Sequence, residues 1–215
     1  MSINLPSKEG EPTWEAAYLL PPQGQWTESD FFKFHTNRMA ELVDGNLEVL
    51  PMPTWLHQLI VDFLVQSIKS YLSRSGARGV VLFAPLPAKL FPGTIREPDV
   101  LFVSPQNIPS DPKGYPKKLD LVMEVVSAGS EAHQRDYEAK RIDYAKAGIA
   151  EYWIVDPERR LITVLGLDGN SYVLLGRYSS GEIACGRYWP EFSISVDQVF
   201  SLGEEAGNAD CTPIS

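Results

Sequence analysis

Hydrophobic and polar positions recur along the chain in three patterns: continuous apolar blocks, alternation at every second residue, and recurrence at helical spacing. The block LVMEVV at 121–126 is of strand length and rich in β-branched residues. It predicts a strand buried on both faces with one acid, Glu124, inside it. A helix follows to about residue 147, with Ser127 or Ser130 as its cap and Gly148 as its stop. Tyr152-Trp153-Ile154-Val155 then makes a second short strand, closed by Asp156-Pro157, and both aromatic residues read as core. Helical spacing is clearest after Thr54, where Leu56, Leu59, Ile60, Phe63, Leu64, Ile68, Tyr71 and Leu72 give a long helix to about residue 75 one broad apolar face. Alternating arms around Asp44-Gly45-Asn46 and Asp168-Gly169-Asn170 predict two hairpins. Thr27 caps a short helix to about residue 35. The prolines in 79–91 suggest an edge strand or a bent pair. Residues 96–103 read as a strand with Asp99 near its start, and 192–196 as a last strand before a short helical turn.

Composition narrows the class. A length of 215 residues fits one domain, with a loose tail at 1–26, a folded unit at 27–200 and a disordered tail at 201–215. Cys185 and Cys211 have no metal-ligand spacing, which argues against a disulfide scaffold and fits a reducing interior. The opening residues lack the apolar core of a signal peptide, and no run approaches the roughly 18 apolar residues of a membrane span. The expectation is a cytoplasmic protein with no membrane partner. A net charge of −9 is the wrong sign for a polyanion ligand. However, 74–118 holds seven bases against three acids, a local +4 that leaves −13 on the rest. Charge therefore weighs against nucleic acid without excluding it.

The chemistry centres on Glu124. An ionised carboxylate inside a buried strand is costly unless it is paired. A metal cation would pair it, and so would Lys140 on the helix that follows. A purely structural Glu–Lys ion pair, or a solvated strand end, explains the acid equally well. Asp99, opening a strand after Pro98, is a second carboxylate able to converge on the same place. Two hard oxygen ligands suit magnesium, which keeps several waters and accepts phosphate oxygens. Lys140 has its own structural explanation, an exposed pair with Asp136 at i−4, although Tyr137 and Tyr144 on that face argue for burial. His57, in the first turn of the long helix, reads as an exposed imidazole. The Pro-rich loop at 104–118 is long enough to be functional. No nucleophile elbow and no P-loop are present.

Taken together, these residues resemble the PD-(D/E)XK nuclease superfamily, and most closely its bacterial Uma-two branch of restriction-endonuclease-like proteins. The resemblance runs from about residue 27 to 200. It is carried by Glu41-Leu42-Val43-Asp44-Gly45, His57, Pro98-Asp99-Val100, the segment 122–127, Asp136 to Lys140, and above all 144–157, YAKAGIAEYWIVDP. It implies an α/β fold, a restriction-endonuclease-like mixed central sheet flanked by helices with added β-hairpins. It further implies a Mg-dependent DNA endonuclease, with Mn able to substitute, working as a homodimer. Carried over, Asp99 and Glu124 become metal ligands together with the main-chain carbonyl of Val125. Glu41 becomes a further acid that binds a metal or orients water. The superfamily's usual lysine position, two residues after the second acid, is Val126 here, and Lys140 takes that role from the helix. Catalytic residues implied are thus Glu41, Asp99, Glu124 and Lys140. The alternative is a catalytically silent binding module on the same fold.

Overall fold

The computed structural model describes residues 20–34, 38–116 and 118–207. In chain order they form α1 (Glu28–Lys33), β1 (Ala40–Val43), β2 (Asn46–Val49), α2 (Trp55–Ser75), β3 (Val80–Phe83), β4 (Ala88–Phe91) and β5 (Thr94–Arg96). Next come β6 (Val100–Val103), β7 (Leu121–Val125), α3 (Ser130–Gln134), α4 (Lys140–Lys146) and β8 (Glu151–Asp156). The chain continues through β9 (Leu161–Asp168), β10 (Ser171–Tyr178), β11 (Ile183–Cys185), β12 (Ser193–Ser195) and α5 (Val196–Gly207).

The architecture is α/β, with a six-stranded mixed sheet in the order β10-β9-β8-β7-β6-β3. Only β7 and β8 pair in parallel, joined by the helical crossover, and every residue of both is buried. That is what two continuous apolar blocks dictate. Alternation sorts their side chains into two cores. Leu121, Met123, Val125, Trp153 and Val155 face α2 and α5, with Ile60, Leu64, Ile68, Val199 and Phe200 opposite. Val122, Tyr152 and Ile154 face α4, against Tyr144 and Ala145. Glu124 falls by the same alternation on the α4 side.

A second sheet, β2-β1-β5-β4, is built on the Asp44-Gly45 hairpin, and β11 pairs with β12 in a third. One expectation changes here and another is narrowed. Residues 96–103 are not one strand: β5 ends in the second sheet at Arg96 and β6 begins in the central sheet at Val100. Residues 79–91 likewise divide, β3 joining the central sheet and β4 the second. Pro98 explains the first break, since it cannot donate to a ladder and restricts Glu97 before it.

At the N-terminal side, residues 20–26 are attached rather than loose. Gly24 N–H donates to Gly45 O, the Gln23 side chain bonds both backbone groups of Leu47, and Trp26 is buried with Leu42 and Ile95. Residues 1–19, and His35 at the expected end of α1, lie outside the described residues. At the other end α5 runs on to Gly207, into the stretch expected to be a disordered tail; 208–215 lie outside the described residues. The crossover helix takes no side-chain cap from Ser127 or Ser130. Gly129, at φ 103°, holds the cap position, and its carbonyl accepts the His133 N–H.

Candidate active site

The break between β5 and β6 creates the site. The β6–β7 ladder ends at Val100 opposite Met123, so the Val125 peptide has no strand partner on that side. Asp99 takes its place: Oδ2 accepts the Val125 N–H at 2.8 Å. In a strand the N–H and C=O of one residue point the same way, so the Val125 carbonyl faces the same gap. His57, from the first turn of α2, sets Nε2 3.2 Å from the same Asp99 oxygen. It is buried, not the exposed imidazole expected, and its Nδ1 makes no hydrogen bond. Burial opposes a charge on His57, but the Asp99 carboxylate outweighs it and raises its pKa.

Across the strand, Glu124 meets the crossover helix where that helix widens into a π-turn, Arg135–Ala139, with Lys140 N–H reaching back to Arg135 O. Such turns are frequent at functional sites. Asp136 and Lys140 are both about 98% buried and 3.7 Å apart, which overturns the exposed-pair explanation of Lys140. Lys140 Nζ donates to Glu124 Oε1 at 2.8 Å and lies 3.3 Å from Glu41 Oε1. Tyr144 Oη donates to the same Glu124 oxygen at 2.5 Å. With three carboxylates around it, the Lys140 ammonium is held charged, its pKa raised although burial opposes this. Burial also acts on Glu124: despite Lys140, desolvation and the charges of Asp99 and Asp136 push it up to about 8.

Glu41, on β1, is fully buried. Oε2 pairs with Arg96 Nη1 at 2.7 Å and Oε1 accepts the Glu97 N–H at 3.0 Å. Burial works against its charge, but Lys140 and Arg96 prevail and hold it at about 2. Arg96 is clamped in turn by Asp143 of α4 at 2.7 Å and by Glu48 of β2 at 3.2 Å. This network ties the second sheet to the crossover helix.

A pocket of about 30 Å³, the room of a single ion or water, is lined by Asp99, Glu124, Val125, Asp136, Lys140, Glu97, Arg135 and His57. Glu41 stands behind Lys140 and is not on its wall. Asp99 Oδ1 and Glu124 Oε2 accept no hydrogen bond from the described residues, and Glu97 Oε2 is buried without a partner. Burial and the Glu41 charge push Glu97 up to about 7. Four carboxylates on this wall (Glu97, Asp99, Glu124, Asp136) outnumber two permanent cations (Arg135, Lys140), and the raised pKa values of Glu97 and Glu124 mean that protons make up the shortage in the metal-free chain. Among the described residues no three His, Cys, Asp or Glu side chains form a ready-made metal cluster. Two free carboxylate oxygens with a main-chain carbonyl nonetheless fit an ion that keeps most of its waters.

Residues 24–197 match the family model of Uma2, whose description reads "Putative restriction endonuclease". The chain belongs to the Uma2 family. Its fold is also that of a solved structure from Anabaena variabilis, described as a "putative nuclease belonging to DUF820". That match has a TM-score of 0.65 and 20% identity, over 82% of this chain and 98% of the other. At that identity the likeness speaks for the fold. No curated protein matches. No helix among the described residues is long and apolar enough to cross a membrane.

Of the four catalytic residues implied for this Uma2 chain, Glu41 and Glu124 both touch Lys140, and Asp99 lies beside Val125. Sequence reasoning missed Arg96 and Glu97. Arg96 was counted in a basic stretch and is instead 1% exposed, neutralised by acids. The available signal was the dipeptide itself: two charged residues directly after Thr94-Ile95 and before Pro98, where a strand heading into the core ought to stay apolar.

Proposed function

We propose that this protein is a divalent-metal-dependent phosphodiesterase, an endonuclease acting on DNA. The observation that carries this reading is the pocket's surplus of carboxylates over permanent cations: oxygens of Asp99 and Glu124 that accept no hydrogen bond, together with the Val125 carbonyl, border it, and the metal-free chain holds protons there in place of a cation. Magnesium, or manganese in its place, would be held by Asp99, Glu124 and the Val125 carbonyl, and supplies Lewis-acid polarisation of a phosphoryl oxygen and a more acidic water.

The chain's own residues do the rest. Lys140 is unsuited to act as a base, because its surroundings keep it protonated. It serves as a fixed ammonium that donates a hydrogen bond and offsets negative charge growing on the phosphoryl group. Glu41 and Asp136 position that ammonium, and Arg96 in turn holds Glu41. His57 orients Asp99 through the contact of its Nε2 with Oδ2. Two such sites cut both strands of a duplex, which favours a homodimer.

One observation favours the other reading, a silent binding module: Glu124 and Glu41 already have a protein cation in Lys140, so the fold holds without a metal. Incubating supercoiled plasmid with the protein in Mg²⁺ or Mn²⁺ at low salt separates the two. Nicking or linearisation that EDTA abolishes, and that Asp99→Ala and Glu124→Ala both lose, is the expected result. Intact plasmid under every metal, with no metal-dependent rise in melting temperature, assigns the binding module instead.

A further inference from the structure

Beside the charged pocket, sharing Met39 and Glu97 as a common wall, lies a larger one of about 400 Å³. Its size is in the range that seats small ligands. Its other walls include Phe32 and Phe34 from the end of α1, Arg38, and Tyr115 from the Pro-rich loop. Phe32 and Tyr115 come from elements far apart in the chain, yet their rings lie 5.1 Å apart and tilted by only 34°. They remain 40% and 42% exposed. Large aromatic side chains this open are not doing the work of a core. The pocket's one buried acid, Glu97, is 94% buried and has an oxygen without a partner. Exposed Lys33 adjoins Phe32, and exposed Lys113 lies just before Gly114-Tyr115. Flat apolar faces, a hydrogen-bonding carboxyl and the Arg38 base on one wall match a nucleotide: a ring to stack, polar edges to read and a phosphate to attract.

We infer that this aromatic pocket receives an unpaired nucleobase next to the bond to be cut, stacking it on Phe32 and Tyr115 while Glu97 hydrogen-bonds its edge. The inference rests on the nuclease reading and narrows it to strands with an unstacked base: single-stranded, mismatched or locally opened DNA. It also gives the Pro-rich loop a task, that of carrying Tyr115 to the pocket. Extruding a base costs least where it is already unpaired, which makes the pocket a source of selectivity.

The test is a fluorescence titration of the full chain, at low salt with EDTA, against two DNA duplexes. One carries 2-aminopurine opposite an abasic site and the other carries it paired with thymine. The expected result is quenching of the unpaired probe and a preference for it of about tenfold or more. Phe32→Ala and Tyr115→Ala should each weaken binding of the unpaired probe by about five- to a hundredfold. Phe32→Tyr and Tyr115→Phe should retain it, and the paired duplex should respond little to any of them. Equal affinity for the two duplexes, absence of quenching, or alanine variants that bind as wild type would overturn the inference and return the rings to packing within the chain. Because EDTA prevents cleavage, the two readings fail separately. Quenching without any plasmid cleavage in Mg²⁺ keeps the pocket and removes the nuclease; cleavage without discrimination does the reverse.

Discussion

Both ends of the β7–β8 pair bury carboxylates, and they solve the problem differently. At the starting end, Asp120 accepts from Ser104 N–H at 2.7 Å, Ser104 Oγ at 2.6 Å and Asn107 Nδ2 at 3.1 Å. Glu151 accepts from Trp153 Nε1 at 2.7 Å and from the N–H groups of Arg187 and Tyr188. Every donor there is neutral. At the finishing end, Asp99, Glu124 and Asp136 contact His57, Lys140 and Arg135, and oxygens are left over. Burial of an acid is therefore not in itself the mark of a site. What marks one is a set of carboxylates that the protein's own donors do not finish satisfying.

The largest effect expected from this contrast is at Lys140. Lys140→Ala leaves Glu124 buried with no cation, and Glu41 and Asp136 with only Arg96 and Arg135, and should cost about 3–5 kcal/mol in a denaturant titration. A loss below 1 kcal/mol would mean that the cluster is wetter than its burial implies. Next is cleavage itself. Asp99→Ala should lower the plasmid-cutting rate by roughly a thousandfold, as loss of a metal ligand does. Asp120→Ala should leave that rate unchanged while costing about 1–3 kcal/mol of stability. Equal losses of cleavage in both variants would erase the distinction between the two ends.

The pH dependence sharpens it further. In the folded chain without metal, Glu97 and Glu124 hold their protons up to about pH 7 and about pH 8, against an ordinary 4.5. Below pH 4.5 folded and unfolded states are both protonated and the contribution is constant. As pH rises from 4.5 to 8, the folded state binds the extra protons, so its stability falls. Glu97→Gln should remove its share of that fall, of the order of 3 kcal/mol in melts across this range. The smallest effect belongs to a pair at the surface. Lys89 and Glu28 lie 2.6 Å apart but partly exposed, and Lys89→Ala should cost about 1 kcal/mol or less.

The sequence was most legible where one pattern dominates over many residues. β7, β8 and α2 follow from continuous apolar runs or strict helical spacing, and both Asp-Gly hairpins from turn chemistry. Glu124 stood out because it interrupts such a run, and Asp99 because it follows a proline. The second sheet was hidden because its pairing depends on contacts distant in sequence: β1 meets β5 only after α2, β3 and β4 have intervened. Arg96 was hidden for the same reason. Its partners Glu41, Glu48 and Asp143 lie 55, 48 and 47 residues away, and without them a buried guanidinium makes no sense locally. The π-turn at Arg135–Ala139 carries little apolar signature, since its buried residue is Asp136 and the residue that follows it is Lys140.

The central claim is that the unfinished carboxylates of Asp99 and Glu124 share one divalent cation. Anomalous diffraction from a crystal soaked in Mn²⁺ tests it most directly. The account predicts a single strong peak in contact with both carboxylates and the Val125 carbonyl, with Lys140 retained beside Glu124. A map with no peak in that pocket at a concentration that supports cleavage, or with the ion bound at Asp120 or Glu151 instead, would contradict it.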